Sequence, residues 1–381
     1  MQPIGFSSKR ASEMMRRIGV DVLIASSPEN VFYASGLPTT YATINPILSA
    51  LSNQYPNIVV IPVDGEECLI AWQLFRSVEK VSWIKKVSSI LSRDEALQRL
   101  ESIIKQVLPG EGTIGIESMM PIFLRDFLVR ALPDIKIRIS DDIFTDMRLE
   151  KSEEEIRRIQ EATMAAERAM EETMGSIQEG ISTLELAKIA TLALAHEGTA
   201  SPSHISISVG DSDPEYPDAR TMVRRGDIAK LDLGAVYEGY CADVSRHATI
   251  DAVPIEAELL SRLMAEVQET CANAIKPGTK PEEAVDMAYS LFQKRGGQGF
   301  FFISIHSIGI SVEDYTFYDT VMGSSGRPFK ENMVLDIEAS TILRQHGFIG
   351  VADPYLVTNE GCRRMSRLEK QIFRLSERKR R

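Results

Sequence analysis

Residues 227–246 contain two strand-like runs, Ile228–Val236 and Tyr240–Arg246, joined by a Glu238-Gly239 turn, and each run carries an aspartate. Strand side chains alternate between faces, so a two-residue hairpin sets Asp232 opposite Ser245, with Asp243, of the same parity, diagonally beside it. The two carboxylates converge on one face. Holding like charges together is costly, and a divalent cation is the usual compensation. The plainer alternative is one solvent-facing aspartate and one that stabilises a turn. A cation would need more ligands downstream, and two candidates follow in apolar strand-like runs: His306 in Phe302-Ile-Ser-Ile-His306, and Glu338 in Met333-Val-Leu-Asp-Ile-Glu338. A lone histidine in such a run is more often a hydrogen-bonded core residue, but here it follows an aspartate pair.

At 381 residues, with 44% hydrophobic and 25% charged residues, the chain is long enough for two cores. No apolar run approaches the roughly 20 residues of a membrane helix, and the first residues lack the apolar core of a signal peptide, so a cytoplasmic protein is expected. Cys68, Cys241, Cys271 and Cys362 are scattered, which suits a reducing compartment and packing roles. The net charge of −11 hides a basic end: residues 363–381 hold nine Lys/Arg against two Glu. An acidic body without interleaved aromatic and basic residues argues against nucleic acid, and the tail reads as a solvated, frayed helix.

Residues 1–148 alternate strand-like runs (21–25, 57–63, 67–72, 113–117, 135–140) with helical patterns (93–107, 120–132), as in a small α/β domain. A second domain, 149–381, opens with Ser152 and Glu155 spaced as a capping box before a long amphipathic helix. Within it, Ile177, Gly180, Glu185, Ala190 and Gly198 recur 98 residues later as Ile275, Gly278, Glu283, Ala288 and Gly296. Both copies offer a capping box (Ser182 with Glu185, Thr279 with Glu282) and a glycine after the second helix, which implies two similar halves.

Asp232-x-Gly234, Asp243, His306-x-Ile308-Gly309, Glu338 and the terminal Tyr355-Leu-Val-Thr-Asn-Glu-Gly361 run resemble the creatinase/prolidase/methionine aminopeptidase family in order and spacing. Asn30-Val-x-Tyr33-x-x-Gly36 and Leu149-x-Lys151-Ser-x-x-Glu155 are similar to the amino-terminal domain and linker of its Xaa-Pro dipeptidase and aminopeptidase P branch. The resemblance implies an α+β chain: a pita-bread domain with a pseudo-two-fold repeat, preceded by a smaller creatinase-type α/β domain. It also implies a homodimer, and a pair of divalent ions (Mn²⁺, Co²⁺ or Zn²⁺) held by two Asp, one His and two Glu. Such ions lower the pKa of water and polarise a scissile carbonyl.

Asp232, Asp243, His306 and Glu338 match four of those ligands, but Ala352 stands at the fifth, with Gly350 where the family has arginine. Two accessory histidines align with Glu215 and Glu313, and Asp336 replaces a common threonine on the Glu338 face. Any of Asp336, Glu215 and Glu313 is a candidate to compensate. The leading expectation is a hydrolase of peptide or amide C–N bonds, resembling Xaa-Pro dipeptidase, with one ion on Asp243, His306 and Glu338 and Asp232 on a weaker second site. One alternative is a metal-free, creatinase-like amidinohydrolase with Glu215 or Glu313 as general base. The other is a non-catalytic relative that keeps the fold to bind a partner.

Overall fold

The apolar, β-branched runs of the first 148 residues become strands of one mixed sheet. They are β1 (Val22–Ala25), β2 (Ile58–Pro62), β3 (Cys68–Trp72), β4 (Lys86–Ile90), β5 (Gly112–Ile116) and β6 (Ile135–Ile139), in the order β4-β3-β2-β1-β5-β6. The computed structural model describes residues 2–38, 47, 51–73, 78–199, 201–214, 216, 218–251 and 254–375. By contacts the chain divides into Met1–Arg148 and Leu149–Arg381. In the first unit, helices α1 (Ser8–Ile18), α2 (Pro28–Ser35), α3 (Arg93–Val107), α4 (Ile122–Ala131) and α5 (Asp141–Leu149) accompany the sheet. Leu100, Ile104, Leu124 and Leu128 pack on Val22, Ile24, Val60 and Ile114, each such side chain contributing about 1.5–3 kcal/mol by leaving water. Strand β4 was not expected: Lys86-Val-Ser-Ser-Ile is too polar to signal a strand, and it lies at the sheet edge, where polar residues are tolerated.

In the second unit the Ser152–Glu155 capping box forms and starts α6 (Glu153–Gly175); a second one, Ser182 with Glu185, starts α7 (Thr183–His196). Helices α8 (Ile255–Ala274) and α9 (Pro281–Lys294) repeat the pair. The 98-residue offset is visible in the fold itself, because α7 and α9 are each 14 residues long and start at Thr183 and Pro281. The capping box expected at Thr279 and Glu282 does not form. Pro281, pre-set for helical φ, takes the first turn after Lys280, and the Thr279 hydroxyl instead accepts from the Lys276 N–H at 3.3 Å.

The helix pairs cover a ten-stranded sheet running β14-β13-β12-β15-β16-β11-β8-β7. Its strands are β7 (His204–Val209), β8 (Ile228–Gly234), β11 (Val244–Ile250), β12 (Phe301–Ser307), β13 (Tyr315–Asp319), β14 (Gly323–Ser324), β15 (Val334–Leu343) and β16 (Gly347–Thr358), with β17 (Gly361–Arg364) on β16 and β18 (Phe373–Leu375) on β11. A separate ribbon, β9 (Val236–Tyr237) with β10 (Tyr240–Cys241), carries the hairpin turn, where Glu238 and Gly239 both have positive φ (45° and 89°) as a type I′ turn requires. Two cores result: Ala162, Ala166, Met170 and Leu186 against Leu231 and Val244, and Met264, Val267, Ala288 and Phe292 against Ile305, Ile337 and Ile349.

The expectation of a frayed helical tail is corrected. Residues 361–364 and 373–375 are strands, and two of the tail's cations turn inward toward the fully buried Asp353: Arg364 at 3.4 Å and Lys370 at 3.9 Å. Arg246 anchors the same cluster, reaching Asp353 at 2.6 Å and the carbonyls of Ser245 and Ala352 at 2.7 and 3.1 Å. An unpaired buried carboxylate is prohibitive, so the acid on β16 pulls in basic residues that otherwise read as a solvated patch. Residues 376–381 lie outside the described residues.

Candidate active site

Cross-strand register lines up Ser206, Asp232, Ser245, Ala352, Glu338, Ser304 and Asp319 as successive partners across β7, β8, β11, β16, β15, β12 and β13. Direct partners share a face, so a row of acids and small residues crosses the sheet opposite the helix-covered side. Asp232 pairs with Ser245, as the hairpin spacing predicts. One step along, His306 pairs with Asp336. Asp353 pairs with Ile337 and points to the opposite face, as its parity requires.

A cavity of ≈ 990 Å³ opens on this row, lined by the polar side chains of His204, Lys230, Asp232, Asp243, His306 and Glu338 and by the apolar ones of Phe300, Phe302, Val312, Met322 and Phe348. Asp243, His306 and Asp336 form one group whose donor atoms lie within 4.8 Å of one another, and His204, Asp232 and Asp243 form another. The groups differ in how far they are satisfied. Asp243 Oδ1, His306 Nδ1 and both Asp336 carboxylate oxygens are buried without a hydrogen-bond partner among the described residues. Burial pushes the Asp336 carboxyl well above the usual carboxylate range, and the charges of Asp243, Asp353, Glu338 and Asp232 push the same way. Burial, with Asp232 nearby, raises Asp243 to about 6.

Asp232 sits in the opposite setting. His204 Nε2 lies 3.0 Å from its Oδ1, and the Lys230 ammonium donates to its Oδ2 at 3.3 Å and to Glu338 Oε1 at 2.9 Å. Burial works against charge on His204, but Asp243 and Asp232 outweigh it and raise the imidazole to about 10. Burial likewise opposes the charge on Lys230, and Glu338 and Asp232 overcome it, holding the ammonium above its ordinary range. Burial would raise Asp232; Lys230 and His204 reverse that and drive it far below the carboxylate range. The Asp232-x-Gly234 pattern has a steric reason too. A Cβ at Gly234 would lie 1.9 Å from Ser203 Oγ and 2.4 Å from His204 Nδ1, so only glycine leaves room for that imidazole.

Sequence reasoning located Asp232, Asp243, His306, Glu338 and Asp336, and the fold brings all five together. Glu338, expected to be a ligand, accepts from Lys230 and, at 2.9 Å, from the Ser340 hydroxyl. Glu313 is exposed at the cavity wall, where it accepts from the Thr316 hydroxyl at 2.5 Å. Glu215 lies outside the described residues. Two residues were missed, Lys230 and His204. Lys230 had a signal, since it lies two positions before Asp232 and hence on its face in an otherwise apolar strand. His204 had none beyond its position at the start of an alternating run.

The residues present suit one divalent ion: two carboxylates and an imidazole with unsatisfied buried donor atoms are the hard-to-borderline ligand set that Mn²⁺, Co²⁺ or Zn²⁺ takes. They do not suit an ion between Asp232 and Glu338, where an ammonium already lies.

Among known proteins, the Xaa-Pro dipeptidase of Pyrococcus horikoshii is 26% identical over 373 residues, 96% of this chain and 98% of its own. The Xaa-Pro dipeptidase of Pyrococcus furiosus is 24% identical over 95% of this chain and 97% of its own. Among solved structures, the X-Pro aminopeptidase from Thermotoga maritima superposes with a TM-score of 0.79 over 97% of this chain and 99% of its own, at 23% identity. The prolidase from Pyrococcus horikoshii gives 0.80 over 96% and 99%, also at 23% identity. These likenesses bear out the expected creatinase-type first domain and pita-bread second domain. The creatinase/prolidase N-terminal domain profile matches residues 8–149 and the metallopeptidase family M24 profile residues 157–359, and the chain therefore belongs to metallopeptidase family M24.

Proposed function

We propose that this chain hydrolyses a peptide or amide C–N bond in a small substrate, in the manner of an Xaa-Pro dipeptidase, using a single divalent ion held by Asp243, His306 and Asp336 with Glu338 beside it. The observation that carries the reading is the set of four buried polar atoms on those three residues that have no hydrogen-bond partner among the described residues, with only His204 Nε2 near Asp243 Oδ1 at 3.5 Å. Leaving such atoms unsatisfied costs about 1–3 kcal/mol each, so their convergence calls for a cation. An ion bound there supplies Lewis acidity and lowers the pKa of water.

The remaining roles follow from the chain's own groups. Lys230 contributes a fixed positive charge at the cavity wall, suited to stabilising negative charge that develops on a carbonyl oxygen. Asp232 holds His204 and Lys230 in place from between them. The aromatic residues of the cavity lining, Phe300, Phe302 and Phe348, favour an apolar substrate side chain. A metal-free mechanism with Glu313 as base finds less support, because that carboxylate is exposed and engaged by Thr316.

The test is metal analysis of protein purified without added metal, coupled to assays on Xaa-Pro dipeptides and small amides with Mn²⁺, Co²⁺ and Zn²⁺. The expected result is about one ion per chain and turnover that His306→Ala abolishes. Absence of any bound ion, with no activity gained from the three metals, would sink the proposal.

A further inference from the structure

Asp232, Asp243, Asp336 and Glu338 gather around the candidate ion site, and one ion on Asp243, His306 and Asp336 leaves Asp232 and Glu338 to be neutralised by something else. His204 pairs with Asp232 at 3.0 Å, and the side chain that serves both carboxylates is Lys230. Its ammonium bridges Glu338 Oε1 at 2.9 Å and Asp232 Oδ2 at 3.3 Å from a side chain only 7% exposed. The geometry has a second half. Ala352 is the direct cross-strand partner of Glu338 and is separated from Asp232 by a single residue, Ser245, so its methyl occupies the stretch of the row between the two carboxylates. Gly350, two residues before it, leaves room for Ser340, whose hydroxyl donates to Glu338. A residue without a donor atom at 352 and a long cation at 230 thus leave two half-buried carboxylates with an ammonium between them and no third carboxylate beside them.

We propose that Lys230 is a built-in cation that stands in for a metal ion between Asp232 and Glu338, so that Lys230 and Ala352 together limit the site to one exchangeable ion. An ammonium carries one charge where an ion carries two, cannot be removed by a chelator, and makes directional hydrogen bonds rather than a full coordination shell. The site accordingly keeps part of its charge balance when stripped of metal. The inference rests on the single-ion reading above, but its own content is the difference that residues 230 and 352 make to the ion count.

The experiment uses the full-length chain as wild type, Ala352→Glu, Lys230→Met and the double variant Lys230→Met/Ala352→Glu. Each is stripped with chelator, reloaded with Mn²⁺ and desalted; bound Mn²⁺ per chain is counted by atomic emission, with thermal melting as the folding control. The double variant should gain about one Mn²⁺ over wild type, because Asp232, Glu338 and the new glutamate form a three-carboxylate site once the ammonium is gone. Ala352→Glu alone should gain none, since the retained ammonium pairs with the added carboxylate. If Met at 230 prevents folding, Lys230→Gln, which keeps length and a donor but not the charge, takes its place in the double variant. A folded double variant with no extra ion overturns the proposal. So does an equal gain in Ala352→Glu alone, or two ions in wild type. A wild-type count of zero defeats the single-ion function, whereas a gain confined to the double variant still supports the role of Lys230.

Discussion

Replacing Asp336 by asparagine isolates the ion site from the fold that carries it. The side chain is fully buried, neither carboxylate oxygen has a hydrogen-bond partner among the described residues, and the carboxylates of Asp243, Asp353, Glu338 and Asp232 act on it by like-charge repulsion. In ion-free protein burial and the surrounding carboxylates already disfavour the charged form of Asp336, so the amide replaces a group of similar volume with comparably unsatisfied polar atoms, each costing about 1–3 kcal/mol, and the variant should melt close to wild type. The ion changes this comparison. An ion that binds only the folded chain stabilises it by about 2.7 kcal/mol at a free concentration 100-fold above its dissociation constant. At roughly 2–4 °C per kcal/mol for a unit of this size, wild type should rise by about 5–11 °C. With Asp336 gone, Asp243 and His306 remain as a two-ligand set, below the three that a catalytic ion needs, and the rise should fall to about 2 °C or less. Thermal melting of both proteins with and without Mn²⁺, Co²⁺ or Zn²⁺ reads the difference directly. A full metal-induced rise in Asp336→Asn, or none in wild type, would refute the assignment of Asp336 as a ligand.

Three further substitutions test the surrounding framework. Asp353→Asn removes the acid from a cluster in which Arg246 and Asp353 are 1% and 0% exposed, and should cost about 3–5 kcal/mol in denaturant unfolding, as for other buried pairs broken on one side. Burial would raise Asp353, but Arg246, Arg364 and Lys370 outweigh it and hold the carboxyl below its ordinary value. Its contribution is therefore present above the unfolded carboxylate value of about 3.9 and lost as pH falls through the lower folded value, so the Asp353→Asn deficit should shrink on acidification below about pH 4. Gly350→Ala puts a Cβ 2.2 Å from Ser340 Oγ and should cost about 1–3 kcal/mol of stability through overpacking, also read by denaturant unfolding. Ser152→Ala deletes one half of the capping box on α6 and should lower unfolding stability by about 1 kcal/mol.

The row of acids was largely legible because strand parity is a strict rule. Asp232 opposite Ser245, Asp336 sharing a face with Glu338, and Asp353 turned away all follow from counting by twos, and the register agrees at each position. The same rule also places Lys230 on the Asp232 face, yet the sequence pattern assigns it no role, although a lysine buried in a strand demands a carboxylate partner and finds two. His204 was not recoverable by parity, since its contact with Asp232 depends on β7 pairing with β8 across 28 residues of chain. Long-range pairing also explains the tail. Composition shows the charge of residues 363–381, and only the three-dimensional position of Asp353 shows that two of those charges turn inward as its counter-ions. The second capping box failed for a local reason, the proline at 281, which outranked the Thr-x-x-Glu spacing.

The central claim is that a single ion sits on Asp243, His306 and Asp336 while Lys230 holds the space between Asp232 and Glu338. The most direct measurement is an anomalous-difference map from crystals grown with Zn²⁺ or Mn²⁺ and recorded at the metal's absorption edge. The account predicts one strong peak, at about 2.0–2.2 Å from one atom of each of the three ligands, with the Lys230 ammonium in density against both carboxylates. A second peak between Asp232 and Glu338 with the lysine swung away, or no peak beside His306, would contradict it.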